Sequence, residues 1–314
     1  MNPTSPMQRP AHESRGQRVV AGVLRTVLRL TLGGTFRAGL PVEQQRSRLR
    51  QVTRLTLPPR GTRFTAGDCG GVAGEWTAAR GQAQASATFL YLHGGGYCTG
   101  SPATHRAITG HLAATCGARV FAADYRLAPE HPFPAAVDDA VAAYRGLLDH
   151  ATDPAALIVA GDSAGGGLSV ATALRLRDLG LPGPRALVLF SPWLDLTLAG
   201  LGPVPPGEVM LNLPWIRECA RAYVAEHDPG EPLLSPLGAD LRGLPPTLIQ
   251  VGTDELLLPD SRRLHERLSA AGVPVRLEEF EARWHVFQAS AGVLADADRA
   301  IASVAHFLRT TAAA

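Results

Sequence analysis

The segment Gly161-Asp162-Ser163-Ala164-Gly165-Gly166 constrains this chain more than any other feature, because of what flanks it. Ahead of it, Ala156-Leu157-Ile158-Val159-Ala160 is a short apolar run of the kind that forms a buried strand, and behind it Leu168 to Leu174 reads as a helix. A serine at such a strand-to-helix turn takes a strained backbone conformation that flanking glycines make sterically possible, and its Oγ then projects above the sheet. A second cluster, His93-Gly94-Gly95-Gly96, ends the apolar run Ala87 to Leu92 one crossover earlier. Successive glycines at a strand end expose backbone N–H groups with no Cβ in the way, so a negatively charged oxygen can reach them. Gly-x-Ser-x-Gly alone is a weak signal in a chain with 33 glycines. Set between strand and helix, with the glycine loop beside it, it describes an activated serine next to an anion-binding loop, which is what acyl transfer needs.

Composition narrows the chemistry further. All 30 basic residues are arginine, and the absence of lysine excludes Schiff-base chemistry, a pyridoxal phosphate linkage and a Walker-type phosphate loop. The net charge of +2, read as scattered along the chain, gives no reason to expect nucleic acid as a partner. Cys69, Cys98, Cys116 and Cys219 have neither Cys-x-x-Cys spacing nor clustered histidines, so neither a metal nor a redox cofactor is expected and the thiols are read as reduced. The apolar stretch from Val19 is interrupted by Arg25 and Arg29, so it is neither a convincing secretory signal nor an integral membrane segment, and a cytoplasmic location is the default expectation.

Along the chain, residues 1–17 read as a Pro-rich disordered tail. Val19 to Leu32 turns helical, with Val20, Val23, Leu24, Val27, Leu28 and Thr31 on one face and Arg18, Arg25 and Arg29 opposite. Such a helix either packs over the protein or lies on a membrane surface. From about Gln51 to Trp76, alternation broken by Pro58-Pro59 and Gly70-Gly71 predicts antiparallel hairpins at a sheet edge. Repeated βα units then follow from Ala87 to Phe190, and resume at Thr247 to Val251, Asp260 to Ala271, Pro274 to Phe280 and Ala295 to Leu308. The expected fold class is α/β, a mostly parallel central sheet covered by helices on both faces. The interruption between Leu196 and Glu231 reads as an inserted lid. The expected division is therefore a cap at residues 18–50 and 196–231 and a core at 51–195 and 232–314.

Serine is a poor nucleophile at neutral pH, so it needs a base and the base needs an orienting group. Both should stand at the carboxyl ends of core strands. His285 follows strand Pro274 to Phe280, and Asp254 follows strand Thr247 to Val251. Glu255 and Asp260 compete with Asp254 and read equally as caps of the next helix. His93 reads as a brace of the glycine loop, and Arg126 with Glu130 as an ion pair stiffening the Pro-rich loop beneath it.

From about residue 85 onward the chain resembles the hormone-sensitive-lipase-like family of bacterial esterases, on the His93–Gly96 loop, the Gly161–Gly166 turn and the run Asp124-Tyr125-Arg126-Leu127-Ala128-Pro129-Glu130-His131-Pro132-Phe133-Pro134-Ala135. Gly252-Thr253-Asp254-Glu255-Leu256-Leu257 and Trp284-His285-Val286-Phe287 are similar to the branch with lactone hydrolases and acetyl hydrolases. The resemblance implies an α/β-hydrolase fold, a triad of Ser163, Asp254 and His285, and an oxyanion hole from the N–H groups of Gly94, Gly95 and Ala164. Many members carry Asp-Pro-Leu and His-Gly-Phe where this chain has Asp254-Glu255-Leu256 and His285-Val286-Phe287.

The expectation is thus a serine carboxylesterase, monomeric or homodimeric, acting on small to medium esters or lactones. Tyr97, Trp193, Met210, Leu211 and Trp215 are the candidate apolar walls of its pocket. Two rivals share the fold: an acyltransferase using the same acyl-enzyme, and a non-catalytic receptor for a small molecule.

Overall fold

The computed structural model describes residues 14–54, 56–81, 85, 87–149 and 153–311. Eight strands among them form one sheet: β1 (Thr62–Cys69), β2 (Val72–Ala79), β3 (Thr88–Leu92), β4 (Arg119–Ala123), β5 (Leu157–Asp162), β6 (Ala186–Phe190), β7 (Thr247–Gly252) and β8 (Val275–Phe280). Their order is β1-β2-β4-β3-β5-β6-β7-β8, antiparallel at β1/β2 and β2/β4 and parallel from β4 to β8. The expected edge hairpin is β1 and β2, and the expected parallel sheet is the rest.

Strands β3, β5 and β6 are buried at every position, as a sheet covered on both faces requires. Their alternating side chains divide between two apolar clusters: Leu90, Leu92, Val159 and Leu189 on one face, Phe89, Tyr91, Ile158 and Val188 on the other. Truncating any of these aliphatic residues to alanine would cost about 2–5 kcal/mol. The covering helices are α3 (Arg106–Cys116), α4 (Ala135–Asp149), α5 (Ala164–Asp178), α7 (Leu258–Ala270) and α8 (Ala295–Thr311).

Three further helices lie over the carboxyl ends of the strands. They are α1 (Arg15–Thr31), α2 (Val42–Thr53) and α6 (Leu213–Val224). Helix α1 is capped by Ser14, whose side chain accepts the N–H of Gln17. It therefore begins inside the stretch expected as a tail; the remainder of that tail, residues 1–13, lies outside the described residues. Helix α2 has no counterpart in the sequence reading. The segments fasten to one another: Trp215 Nε1 donates to Gln45 Oε1 at 2.7 Å, Asn212 Nδ2 donates to the Phe36 carbonyl at 2.7 Å, and Phe36 packs on Trp215 with ring centroids 4.6 Å apart.

Candidate active site

Ser163 sits between β5 and α5 with φ 53° and ψ −122°, a left-handed conformation that an L-residue adopts only under constraint. The constraint is visible in the backbone. Its N–H donates to the Phe190 carbonyl at 2.9 Å, and its own carbonyl accepts the N–H of Trp193 and of Gly166. A Cβ on Gly165 would collide with the Leu92 carbonyl oxygen, so only glycine lets the turn lie this close to β3. The serine is 6 % exposed and opens onto a cavity of about 130 Å³.

His285 lines the same cavity, in the loop after β8, and is buried. Its Nδ1 lies 3.1 Å from Glu255 Oε1. The structure thus places Glu255, and not the expected Asp254, against this histidine. Asp254 points the other way, forms an ion pair with Arg25 of α1 at 2.9 Å, and keeps about a third of its side chain exposed. The cause is local backbone direction: the Asp254 N–H donates to the Arg283 carbonyl, and the next residue, Glu255, turns inward to 1 % exposure. There Glu255 Oε2 accepts the Ser191 hydroxyl at 2.7 Å and the Gly252 N–H at 2.8 Å. Ser191 also accepts the Val286 N–H at 3.1 Å, joining the acid to the histidine loop. Ser191 was missed by sequence reasoning; the signal was the break in βα rhythm at Ser191-Pro192-Trp193, after β6.

Burial alone would lower the His285 pKa, but the hydrogen bond and charge of Glu255, with Glu208 and Asp162 further off, outweigh it and raise the imidazole above its ordinary 6.5. Among the described residues, Nε2 of His285 has no hydrogen-bond partner, so the ring is oriented with that nitrogen uncommitted.

The glycine loop is held from the other side. Gly94 donates its N–H to Asp162 Oδ1 at 3.1 Å, so this amide, expected in the oxyanion hole, is already engaged by a carboxylate. A Cβ on Gly94 would fall on the Asp162 carboxylate. Asp162 Oδ1 also accepts the Tyr91 hydroxyl at 2.6 Å, and Oδ2 lies 3.4 Å from Nε2 of His105. Although burial opposes charge on both partners, each stabilises the charge of the other, which lowers the Asp162 pKa and raises that of His105. His93 stacks between Tyr125 and His105, at 4.3 and 5.4 Å, and places Nδ1 2.9 Å from the Gly94 carbonyl. Burial first, and the neighbouring His105 charge second, push its pKa down to about 3, so His93 is a neutral brace. The N–H groups of Gly95 and Gly96 meet no acceptor among the described residues. Ala164 opens α5, where an N–H has no intrahelical partner.

Of the expected wall residues, Met210, Leu211 and Trp215 line the cavity, together with Leu28, Leu49 and Val52 from the N-terminal helices and Leu32 and Phe36 from the turn after α1. Tyr97 and Trp193 do not line it. Tyr97 is 2 % exposed and stacks on Tyr223 at 3.8 Å, and Trp193 is wholly buried with its Nε1 donating to the Asp195 carbonyl. The expected Arg126–Glu130 pair is also replaced. Arg126 binds Asp139, while Glu130 binds Arg46 of α2, which also donates to the Cys98 and Ala128 carbonyls and so ties the cap to the loop behind the glycines.

A family model described as the alpha/beta hydrolase fold matches residues 89–289, the stretch that carries the serine, the glutamate and the histidine. The chain belongs to this family. It is 46 % identical to an acetyl-hydrolase of Streptomyces hygroscopicus, over 82 % of this chain and 84 % of that one. It is 40 % identical to an esterase of Acinetobacter venetianus, over 72 % and 76 % of the two chains. Among solved structures, an esterase of the bacterial hormone-sensitive lipase family superposes with a TM-score of 0.85 at 39 % identity, covering 96 % of this chain and 100 % of that one. The hormone-sensitive-lipase homologue EstE7 from a metagenome library gives 0.84 at 39 % identity, over 93 % and 98 %. The protein is a carboxylic ester hydrolase of the hormone-sensitive-lipase-like group.

Proposed function

We propose that the protein hydrolyses small to medium apolar esters through an acyl-enzyme on Ser163, with His285 as base and Glu255, in place of Asp254, as the group that orients it. The observation that carries this reading is the contact of Glu255 with Nδ1 of a buried histidine that shares its cavity with the strained serine. Ser163 Oγ attacks the ester carbonyl while Nε2 of His285 takes its proton. The imidazolium that forms is stabilised by Glu255. The tetrahedral oxyanion is held by the free amides of Gly95 and Ala164, the Gly94 amide being engaged by Asp162. His285 then protonates the leaving alcohol, and water repeats the sequence to release the acid.

Asp162 and His105 do not react in this scheme; they fix the loop that carries the donors. The cavity supports an apolar substrate of modest size, because Leu28, Leu32, Phe36, Leu49, Val52, Leu211 and Trp215 close round a volume that an extended triglyceride would overfill. The relative named acetyl-hydrolase agrees with a short acyl group. A chain-length series of nitrophenyl esters tests the pocket, with turnover expected to peak at short acyl chains; a peak at long chains overturns it. A phosphonate ester tests the nucleophile. One adduct is expected, on Ser163, and its absence would favour a non-catalytic receptor.

A further inference from the structure

Helix α1 presents three distinct faces, of which roofing the cavity uses only one. Its inner face sets Ala21, Leu24 and Leu28 against the apolar interior, and Leu28 lines the cavity. Turned away from the interior, Val19, Val23, Val27 and Leu30 form a continuous apolar stripe, 66, 58, 45 and 76 % exposed. The single apolar face expected from the sequence is therefore split, with Val23 and Val27 outside. Arg15 and Arg18 flank this stripe, both exposed and without an ion pair among the described residues. Helix α1 holds four arginines and no carboxylate.

The charge is not scattered as the composition suggested. Residues 14–54 hold nine arginines against one carboxylate, Glu43, a net charge of +8 in a chain of net +2, so the remainder carries −6.

We propose that this face of the cap docks on an anionic lipid surface. Helix α1 lies along it, Val19, Val23, Val27 and Leu30 entering the boundary between headgroups and acyl chains, and Arg15 and Arg18 meeting the headgroup charge. The two stripes together select this occupant. A second copy of the chain would bring its own α1 arginines against these across a twofold axis, with no carboxylate on the helix to meet them. A nucleic acid would satisfy the arginines and leave the valine stripe in water. Among the described residues no helix is long and apolar enough to cross a membrane, so the contact is peripheral. Docking would hold the cavity one helix diameter, roughly 10 Å, from the lipid. The lipid contact itself does not depend on the esterase reading.

The test is co-sedimentation of the full chain with vesicles of phosphatidylglycerol and of phosphatidylcholine, with thermal melting as the control for folding. The chain should pellet with phosphatidylglycerol and not with phosphatidylcholine alone, and high salt should release it. The Val23→Asp/Leu30→Asp variant should lose at least about ten-fold in binding and Arg15→Gln/Arg18→Gln about 25-fold, since each arginine near the surface contributes roughly a five-fold preference. Both variants should melt like the parent chain. Absence of binding to phosphatidylglycerol overturns the proposal, as does undiminished binding by either variant. A dimer of the parent chain that Val23→Asp/Leu30→Asp converts to a monomer would assign the stripe to a second copy instead.

Discussion

Ser163 is flanked by two buried carboxylate–histidine pairs, Glu255 with His285 and Asp162 with His105, and both histidines are raised in pKa by their partners. They differ in which nitrogen the carboxylate takes. Glu255 occupies Nδ1 of His285 and leaves Nε2 uncommitted. Asp162 occupies Nε2 of His105, while Nδ1 lies 2.9 Å from Thr104 Oγ1 and 3.1 Å from the Ser101 carbonyl, so neither nitrogen remains to accept a proton. The same two residue types therefore leave a free acceptor on one side of the serine and a fully engaged ring on the other. Proximity of a histidine to a nucleophile does not make it a base; the unclaimed lone pair does.

The sharpest way to break this contrast is to remove each imidazole. His285→Ala should lower kcat by about 10⁶-fold, as for a triad histidine. His105→Ala should cost only about 10- to 100-fold, because it loosens donors without removing the base. Equal losses, read by steady-state turnover of a short nitrophenyl ester, would erase the distinction.

Next comes the acid. Glu255→Gln keeps the shape but removes the charge that orients and stabilises the imidazolium, and should lower kcat by about 10³- to 10⁴-fold. Asp254→Asn should stay within about three-fold of the parent, since its carboxylate pairs with Arg25 and packs on Gly207, away from the histidine.

The pH profile sharpens the same point with a smaller effect. Only the neutral imidazole accepts a proton, so kcat/KM should rise with pH through the His285 pKa, with its midpoint above 6.5 because Glu255 overcomes burial. In Glu255→Gln the raising charge is gone and burial, which lowers, remains. The midpoint should therefore move down, whereas in Asp254→Asn it should not move.

The smallest effect is expected at the latch between cap and core. Arg25→Gln removes a partly exposed ion pair and a contact to the Ala282 carbonyl, costing about 1 kcal/mol or less in urea unfolding with an unchanged slope.

What could be read beforehand follows from how far the determining contacts lie along the chain. Ser163 and the glycine loop were legible because a strand, a turn and a helix are adjacent in sequence and their glycines answer to local sterics. His285 was legible from its place after β8. The choice between Asp254 and Glu255 was not, because it is set by a backbone bond to Arg283 and by Ser191, just past the end of a different strand. Gly94 was assigned to the oxyanion hole because nothing local reveals that the Asp162 carboxylate reaches back to its N–H. Tyr97 and Trp193 read as pocket walls and prove to be packing, an ambiguity that aromatic residues carry until their neighbours are known. Helix α2 escaped notice because its buried residues are few, Gln45 and Leu49, and its attachment runs through Arg46 to loops far away in sequence.

Asp254 and Glu255 form a fork in which one tine grips the roof through Arg25 and the other serves the histidine. Glu208 adds a second grip, its Oε2 accepting the N–H of Leu256 at 3.1 Å. Transplanting a roof from a relative is therefore not a neutral exchange of specificity. A donor segment lacking a cation for the outer tine gives up that grip while the inner tine keeps its own bonds to Ser191 and Gly252, so a chimaera built for a new substrate should sit more loosely on its core, and melt earlier, unless the arginine travels with the graft.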